Sequence, residues 1–120
     1  MAFDPTHLRG DIWSVDFGSH PENPEQAFVR PAVIVSDDRL HHPSLQRVIV
    51  VPGTTALRGI PLHVPVDPDA GNGLDTTTAF QAEQVRAIST ARLITRLGRL
   101  APEHQWSLSA VLAGTLALEH

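Results

Sequence analysis

The fold is decided by two short apolar runs, PAVIVS at residues 31–36 and RVIVVP at residues 47–52. Both are rich in valine and isoleucine, whose branched side chains favour strands. Short continuous apolar runs bounded by polar or turn-forming residues are typical of buried strands. The sequence therefore predicts that these two runs lie in the interior of a β-sheet.

Further strands are predicted on both sides of this pair. Residues 12–17 (IWSVDF) alternate between two faces, as in a half-buried strand. Residues 62–66 are interrupted by Pro65, which confines a strand to the edge of a sheet. Residues 77–88 are expected to form one or two strands, and residues 94–100 another.

The C-terminal segment has a different periodicity. Pro102 suits the first turn of a helix, and apolar residues then recur at helical spacing at Trp106, Ala110, Ala113 and Ala117. This apolar stripe is expected to pack on the sheet or on a partner. Five to seven short strands followed by one helix predict a mainly β fold, a small curled barrel with a C-terminal helix.

The 120 residues are expected to form one domain. Residues 1–7 are predicted to be an N-terminal tail, residues 8–117 the domain, and residues 118–120 the remnant of an expression tag. No segment has the features of a signal peptide or of a membrane span. The chain contains no cysteine, which excludes disulfides and thiolate sites and fits a cytoplasmic location.

Charge is unevenly distributed along the chain. The net charge of −4 argues against a general nucleic-acid binder. Residues 27–100, however, contain eight arginines and six acids, whereas residues 1–26 contain one arginine and five acids. All nine basic residues are arginine, which binds phosphate through two parallel hydrogen bonds. The middle of the chain is therefore the expected anion-binding part.

Two motifs resemble sites of metal or acid–base chemistry. His41 and His42 lie in a polar segment and are predicted to be solvated loop residues. The DPD sequence at residues 67–69 resembles the start of a calcium loop, but Gly71 and Thr78 stand where that loop needs ligands. This segment is therefore predicted to be a turn, and neither a metal site nor a cofactor is expected.

Four segments together resemble the MazF/PemK toxin family, in the order and spacing of that family: RGDIWSVDF at residues 9–17, EQAFVRPAVIVS at residues 25–36, VVPGTT at residues 50–55 with Gly59 and Pro61, and EQVR at residues 83–86. The sequence GRLAPE at residues 98–103, which leads into the helix, also matches. Each motif is weak by itself, but the ordered set spans residues 8–117.

The resemblance implies an SH3-like barrel with a C-terminal helix, assembled as a homodimer. It also implies the toxin of a toxin–antitoxin system, inhibited by a MazE-like antitoxin. The implied activity is metal-independent, sequence-specific cleavage of single-stranded RNA to 2′,3′-cyclic phosphate and 5′-hydroxyl ends, which inhibits translation and growth. The implied target is mRNA, with tRNA and rRNA as alternatives.

Catalytic roles carry over from the family to Arg30 and Thr54 and, from some members, to Glu25. Arg30 and Thr54 each flank a predicted strand, where a rigid sheet can direct side chains toward a cleft. The expected substrate contacts are Gln26, Ser36, Thr55, Gln84 and Arg86.

The chain departs from the family pattern around these residues. The family usually has Gly-Ser and Gly where this sequence has Asn23-Pro24 and Phe28, so the first loop is expected to be stiffer and bulkier, which bears on the role of Glu25. Gly53 replaces a side chain that is commonly larger and is expected to open space beside Thr54.

Two other functions remain open from the sequence. Related toxins of the same fold bind DNA gyrase and cut no RNA, and an inactive interaction domain would share the same motifs. The presence of both Arg30 and Thr54 favours the nuclease.

Overall fold

The computed structural model describes residues 8–18 and 29–118. In that part of the chain seven strands precede one α-helix, which confirms the predicted mainly β architecture. The elements are β1 (Asp11–Asp16), β2 (Val29–Ile34), β3 (Arg47–Thr54), β4 (His63–Val66), β5 (Thr78–Gln81), β6 (Arg86–Ser89), β7 (Leu93–Arg99) and α1 (Pro102–Thr115), with short 3-10 helices at Asp38–Leu40, Ala82–Gln84 and Thr90–Arg92.

The strands pair antiparallel in the order β4-β5-β3-β2-β1-β7, and β6 pairs with β3 outside this path. β3 organises the sheet, because its central part pairs with β2 while Gly53 and Thr54 at its end pair with β5. At its end, β3 therefore pairs with β5 instead of β2. β4 lies at an edge, as Pro65 predicted.

Hydrophobic clusters cover both faces of the sheet. The first contains Ile12, Val33 and Val51 and is closed by residues of β4, β5 and α1. The second contains Val15 and Ala32 together with residues of β3, β6 and β7. β1 therefore contributes a buried residue to each cluster, while Ser14 is half-buried and Asp16 is exposed, as the alternating sequence predicted.

The C-terminal helix begins at Pro102, as predicted. Leu108 is buried in the first cluster, and Val111 and Leu112 pack against it. Trp106 is 68% exposed. The helix thus packs on the sheet with one side and leaves part of its apolar stripe uncovered. In the described part of the chain, no helix has the length and apolar character needed to span a bilayer.

The predicted turn at residues 67–73 is confirmed and is built around the buried side chain of Asn72. The Oδ1 atom of Asn72 accepts hydrogen bonds from the backbone N–H groups of Asp69 (3.2 Å) and Leu74 (3.0 Å). Its Nδ2 atom donates to the carbonyl oxygen of Asp67 (2.9 Å). Gly73 follows with a φ of +70°, close against the backbone of Leu97. These contacts fix the turn against β7.

Candidate active site

The strand register places Arg30 and Thr54 at the same end of the β2–β3 pair. Ala32 of β2 is paired with Pro52 of β3. Arg30 precedes Ala32 by two residues, and Thr54 follows Pro52 by two residues. Because residues two apart on a strand share a face and the strands are antiparallel, both side chains lie on one face at the same end of the pair. At this point β3 pairs with β5 instead of β2, and Thr54 is paired with Ala79.

The hydroxyl group of Thr54 is held in a defined orientation. Thr54 is 8% exposed, and its Oγ1 atom accepts a hydrogen bond from the backbone N–H of Ala56 at 3.1 Å. Because this contact uses a lone pair of the oxygen, the hydroxyl proton stays available for donation. Thr54 is therefore suited to donate a hydrogen bond to an anion beside Arg30.

Gly53 does not open space beside Thr54, so that expectation is wrong. A Cβ atom at Gly53 would lie 2.4 Å from Cγ2 of Thr78 and 3.2 Å from the ring of Phe80. Side chains of β5 fill the volume that a larger residue would need. Glycine is required here because β3 and β5 approach closely.

A cleft of about 280 Å³, lined by both polar and apolar side chains, lies at this end of the sheet. Arg30 and Ser14 contribute to one wall, and Thr55 follows directly from β3. Asp75 and Thr76, in the loop between β4 and β5, contribute to another wall. The sequence identifies residues 67–77 as a loop expected to contact the RNA bases, but it does not single out Asp75 and Thr76 within that loop. The only signal was the polar sequence that follows the turn, and no local pattern relates it to Arg30.

A second arginine lies on the same face of the sheet. Arg86 of β6 is paired with Val50, which shares its face of β3 with Thr54. The guanidinium carbon of Arg86 is 4.8 Å from the ring centroid of Phe17, in cation–π contact. Arg86 and Arg30 thus place two positive charges on the face that carries Thr54.

The predicted contact residues Gln84 and Ser36 do not line this cleft. Gln84 is half-buried at the end of a 3-10 helix that precedes β6. Ser36 lies six residues beyond Arg30, about 20 Å along an extended strand. Its Oγ atom is 2.6 Å from Nε2 of His41 and accepts the backbone N–H of Ile49 at 3.1 Å. The structure therefore does not bring Ser36 to the cleft.

The prediction that His41 and His42 are both solvated is wrong for His41. His42 is exposed, but His41 is buried between Ser36 and Asp38, whose Oδ1 atom is 3.7 Å from His41 Nδ1. The order aspartate–histidine–serine resembles a hydrolytic triad. However, the buried serine hydroxyl already binds the backbone of Ile49. These contacts hold the loop after β2 against β3.

Glu25 and Gln26 lie outside the described residues, as do Pro24 and Phe28. Among residues 8–18 and 29–118, no three histidine or acidic side chains converge in a way that would hold a metal ion. The described part of the site is therefore a cleft lined by Arg30, together with the hydroxyl of Thr54, which directly precedes the cleft residue Thr55.

Comparison with known proteins assigns this arrangement to a family. Residues 8–115 match the PemK-like, MazF-like toxins of type II toxin–antitoxin systems. The chain belongs to this family. This MazF-like chain is 36% identical over 101 residues to the endoribonuclease MazF9 of Mycobacterium tuberculosis, covering 77% of this chain and 80% of that protein. It is 32% identical over 93 residues to the probable endoribonuclease MazF5 of the same organism, covering 78% of this chain and 77% of that protein.

A solved structure agrees with the assignment. A mycobacterial endoribonuclease in complex with its cognate antitoxin superposes on this MazF-like chain with a TM-score of 0.75 and 26% sequence identity, covering 94% of this chain and 97% of the other. The predicted family and its barrel fold are confirmed. By family the protein is an endoribonuclease toxin.

Proposed function

We propose that this MazF-like toxin cleaves single-stranded RNA, in a sequence-selective manner and without a metal ion, at a site built on Arg30 and Thr54. The observation that carries the proposal is their placement on one face, at the same end of the β2–β3 pair. One of its two named relatives is an endoribonuclease and the other a probable endoribonuclease, which supports RNA as the substrate.

The proposed reaction uses the 2′-hydroxyl of the RNA as the nucleophile. The bond from O2′ to phosphorus forms, the bond from phosphorus to O5′ breaks, and the departing O5′ is protonated. The products are a 2′,3′-cyclic phosphate and a 5′-hydroxyl. A base must accept the proton of the 2′-hydroxyl, and we assign this role to Glu25.

Arg30 and Thr54 stabilise the charge that gathers on the phosphate oxygens in the transition state. The Arg30 guanidinium offers parallel N–H donors that match two phosphate oxygens. The Thr54 hydroxyl adds a third donor. Its oxygen accepts the N–H of Ala56, and its proton therefore remains available for the phosphate. Fixed donors aimed at developing charge are among the largest contributions to enzymatic rate.

Preference for single strands follows from the form of the site. Bases must be splayed out of a helix before protein groups can contact their edges. The cleft beside Arg30 lies between a strand end and the loop at residues 73–76, so it admits a single base more readily than a paired one. Arg86 extends the positive charge along the same face and is assigned to the RNA backbone.

The proposed partners are a second copy of the chain and a MazE-like antitoxin. The solved mycobacterial relative is bound to its cognate antitoxin, which supports the second partner. Trp106 and Leu116 leave apolar surface exposed around α1, which supports a dimer. In the cytoplasm such a toxin would cut mRNA and thereby inhibit translation and growth.

The test is incubation of the purified protein with a long RNA in EDTA, followed by sequencing of the new ends. We expect discrete cuts with 2′,3′-cyclic phosphate and 5′-hydroxyl termini. Cuts that require added Mg²⁺ would contradict the metal-free mechanism. A folded protein that cuts none of several RNAs would contradict the proposed activity. Inhibition of DNA gyrase by such a protein would favour the gyrase-binding alternative.

A further inference from the structure

Asp75 is the one carboxylate among the described residues that line the cleft beside Arg30. It is exposed, and its carboxylate has no hydrogen-bond or ion-pair partner within residues 8–18 and 29–118. By contrast, Asp67 accepts the hydroxyl of Thr77 at 2.6 Å, and Asp69 accepts a backbone N–H of its own turn at 2.8 Å. Asp75 is therefore the acid of this loop that remains available to a ligand.

Hydrogen bonds of the neighbouring residues fix the backbone on both sides of Asp75. Leu74, its neighbour, is buried, and the backbone N–H of Leu74 donates to the side chain of Asn72 at 3.0 Å. On the other side, the hydroxyl of Thr78 donates to the carbonyl oxygen of Thr76 at 3.0 Å. Both flanks of Asp75 are thus fixed, and a fixed polar group discriminates between ligands better than a mobile one.

We propose that Asp75 recognises the exocyclic amino group of one nucleobase next to the scissile phosphate, and thereby sets part of the sequence preference. The inference rests on the proposed RNA cleavage. A carboxylate repels phosphate but accepts hydrogen bonds from the amino groups of cytosine, adenine or guanine. Arg30 would hold the phosphate at one side of the cleft, while Asp75 contacts the base at the other.

The hydroxyl-bearing side chains around Asp75 fit the same ligand. Ser14, Thr55 and Thr76 line the cleft and each can donate or accept a hydrogen bond. Such groups complement a base edge, which presents donors and acceptors side by side. The cleft volume of about 280 Å³ is consistent with a single planar base.

Uracil is the base that this arrangement disfavours. Uracil presents a carbonyl oxygen where cytosine presents its amino group, and that oxygen would face the carboxylate of Asp75. In Asp75→Asn the amide offers a donor as well as an acceptor. We therefore expect the variant to admit uridine at a position where the wild type prefers an amino-bearing base, with a change in preference of about ten- to a hundredfold.

The experiment compares the two proteins by sequencing cleaved ends from a randomised RNA. The base position that changes is then tested in a short RNA that carries the deamino analogue of the preferred base. Wild type is expected to cut this RNA about ten- to a hundredfold more slowly than its parent. Asp75→Asn is expected to discriminate less between the two RNAs than wild type does, because its uncharged amide accepts the amino group more weakly than the carboxylate.

Glu103→Gln is the matched control, because it removes one negative charge from an exposed position on α1. It should leave the preference unchanged. Thermal unfolding shows whether each variant is folded. Asp75→Glu is a second substitution, which keeps the negative charge but displaces the carboxylate by one methylene group. An unchanged preference in folded Asp75→Asn, or a uniform loss on all RNAs, would overturn the inference while leaving the proposed function intact. Absence of cutting by wild type would overturn both.

Discussion

Arg30 and Thr54 are 24 residues apart in the sequence, yet each lies two residues beyond the Ala32–Pro52 pair, at the same end of β2 and β3. Ordinary strand pairing produces this relationship, so it does not depend on a mobile loop. Arg30 precedes the buried part of β2, and Thr54 ends β3. Substituting either side chain should therefore alter the chemistry without displacing the other.

Arg30→Ala is expected to abolish detectable cleavage while the protein stays folded. Removal of one donor to the transition state typically costs roughly 3–4 kcal/mol, or about 10²–10³ in rate, and Arg30 supplies two donors and a full charge. Arg30→Lys should retain part of the activity, since it keeps the charge but not the paired geometry. The measurement is the single-turnover rate on one RNA, together with a thermal unfolding curve.

Arg47→Ala is the control for charge. Arg47 begins β3 at the end far from Thr54, and among the described residues its guanidinium hydrogen-bonds only to the adjacent carbonyl oxygen of Gln46. This variant should cut RNA at close to the wild-type rate. If Arg30→Ala remained as active as Arg47→Ala, Arg30 would have no catalytic role.

Thr54→Val is expected to lower the single-turnover rate by about 10²-fold, because valine keeps the shape but removes the donated proton. Loss of stability should be about 1 kcal/mol or less, since Ala56 is exposed and its N–H can bind water instead. Thr54→Ser keeps the hydroxyl and should retain most of the rate. A Thr54→Val protein with the wild-type rate would show that the hydroxyl does not contact the transition state.

The strands were predictable because local sequence specifies them. The apolar runs of β2 and β3 are rich in valine and isoleucine, and Pro65 marked β4 as an edge strand. The C-terminal helix was likewise marked by Pro102. Burial of Ile12 beside the polar Ser14 was not predictable, because the residues that cover it come from β4, β5 and α1.

The site was predictable only in part. Arg30 and Thr54 were identified through the ordered family motifs, not through any local pattern. The space at Gly53 is filled by Thr78, which is 25 residues away, and Asp75 reaches the cleft through a turn with no sequence relation to β2. Such contacts depend on tertiary pairing. The same holds for His41, whose burial requires the loop after β2 to fold back on β3.

His41→Ala is expected to lower the free energy of unfolding by about 1–3 kcal/mol, because the buried hydroxyl of Ser36 loses its imidazole partner. Cleavage per folded molecule should not change, since Arg30 lies at the opposite end of β2. Urea unfolding and a rate corrected for the folded fraction test both statements.

His42→Ala is the matched control for this variant. His42 is exposed, and within residues 8–18 and 29–118 its side chain hydrogen-bonds only to Ser44, so its removal should change stability by less than about 0.5 kcal/mol. Loss of cutting in fully folded His41→Ala would indicate instead that the histidine acts in catalysis.

Gly73→Ala and Gly71→Ala test whether the turn supports the cleft. At Gly73 the φ is +70° and a Cβ atom would lie 2.0 Å from the carbonyl oxygen of Leu97, so alanine is expected to cost about 2–4 kcal/mol. At Gly71 the nearest atom to such a Cβ is 3.7 Å away, on Asp69, and alanine should be tolerated. Gly73→Ala would also displace Asp75. At temperatures where this variant is still folded, its RNA sequence preference should therefore be weaker than that of wild type. The preference of Gly71→Ala should be unchanged. Equal stability of the two variants in urea would show that the turn is not held against β7 as the structure describes.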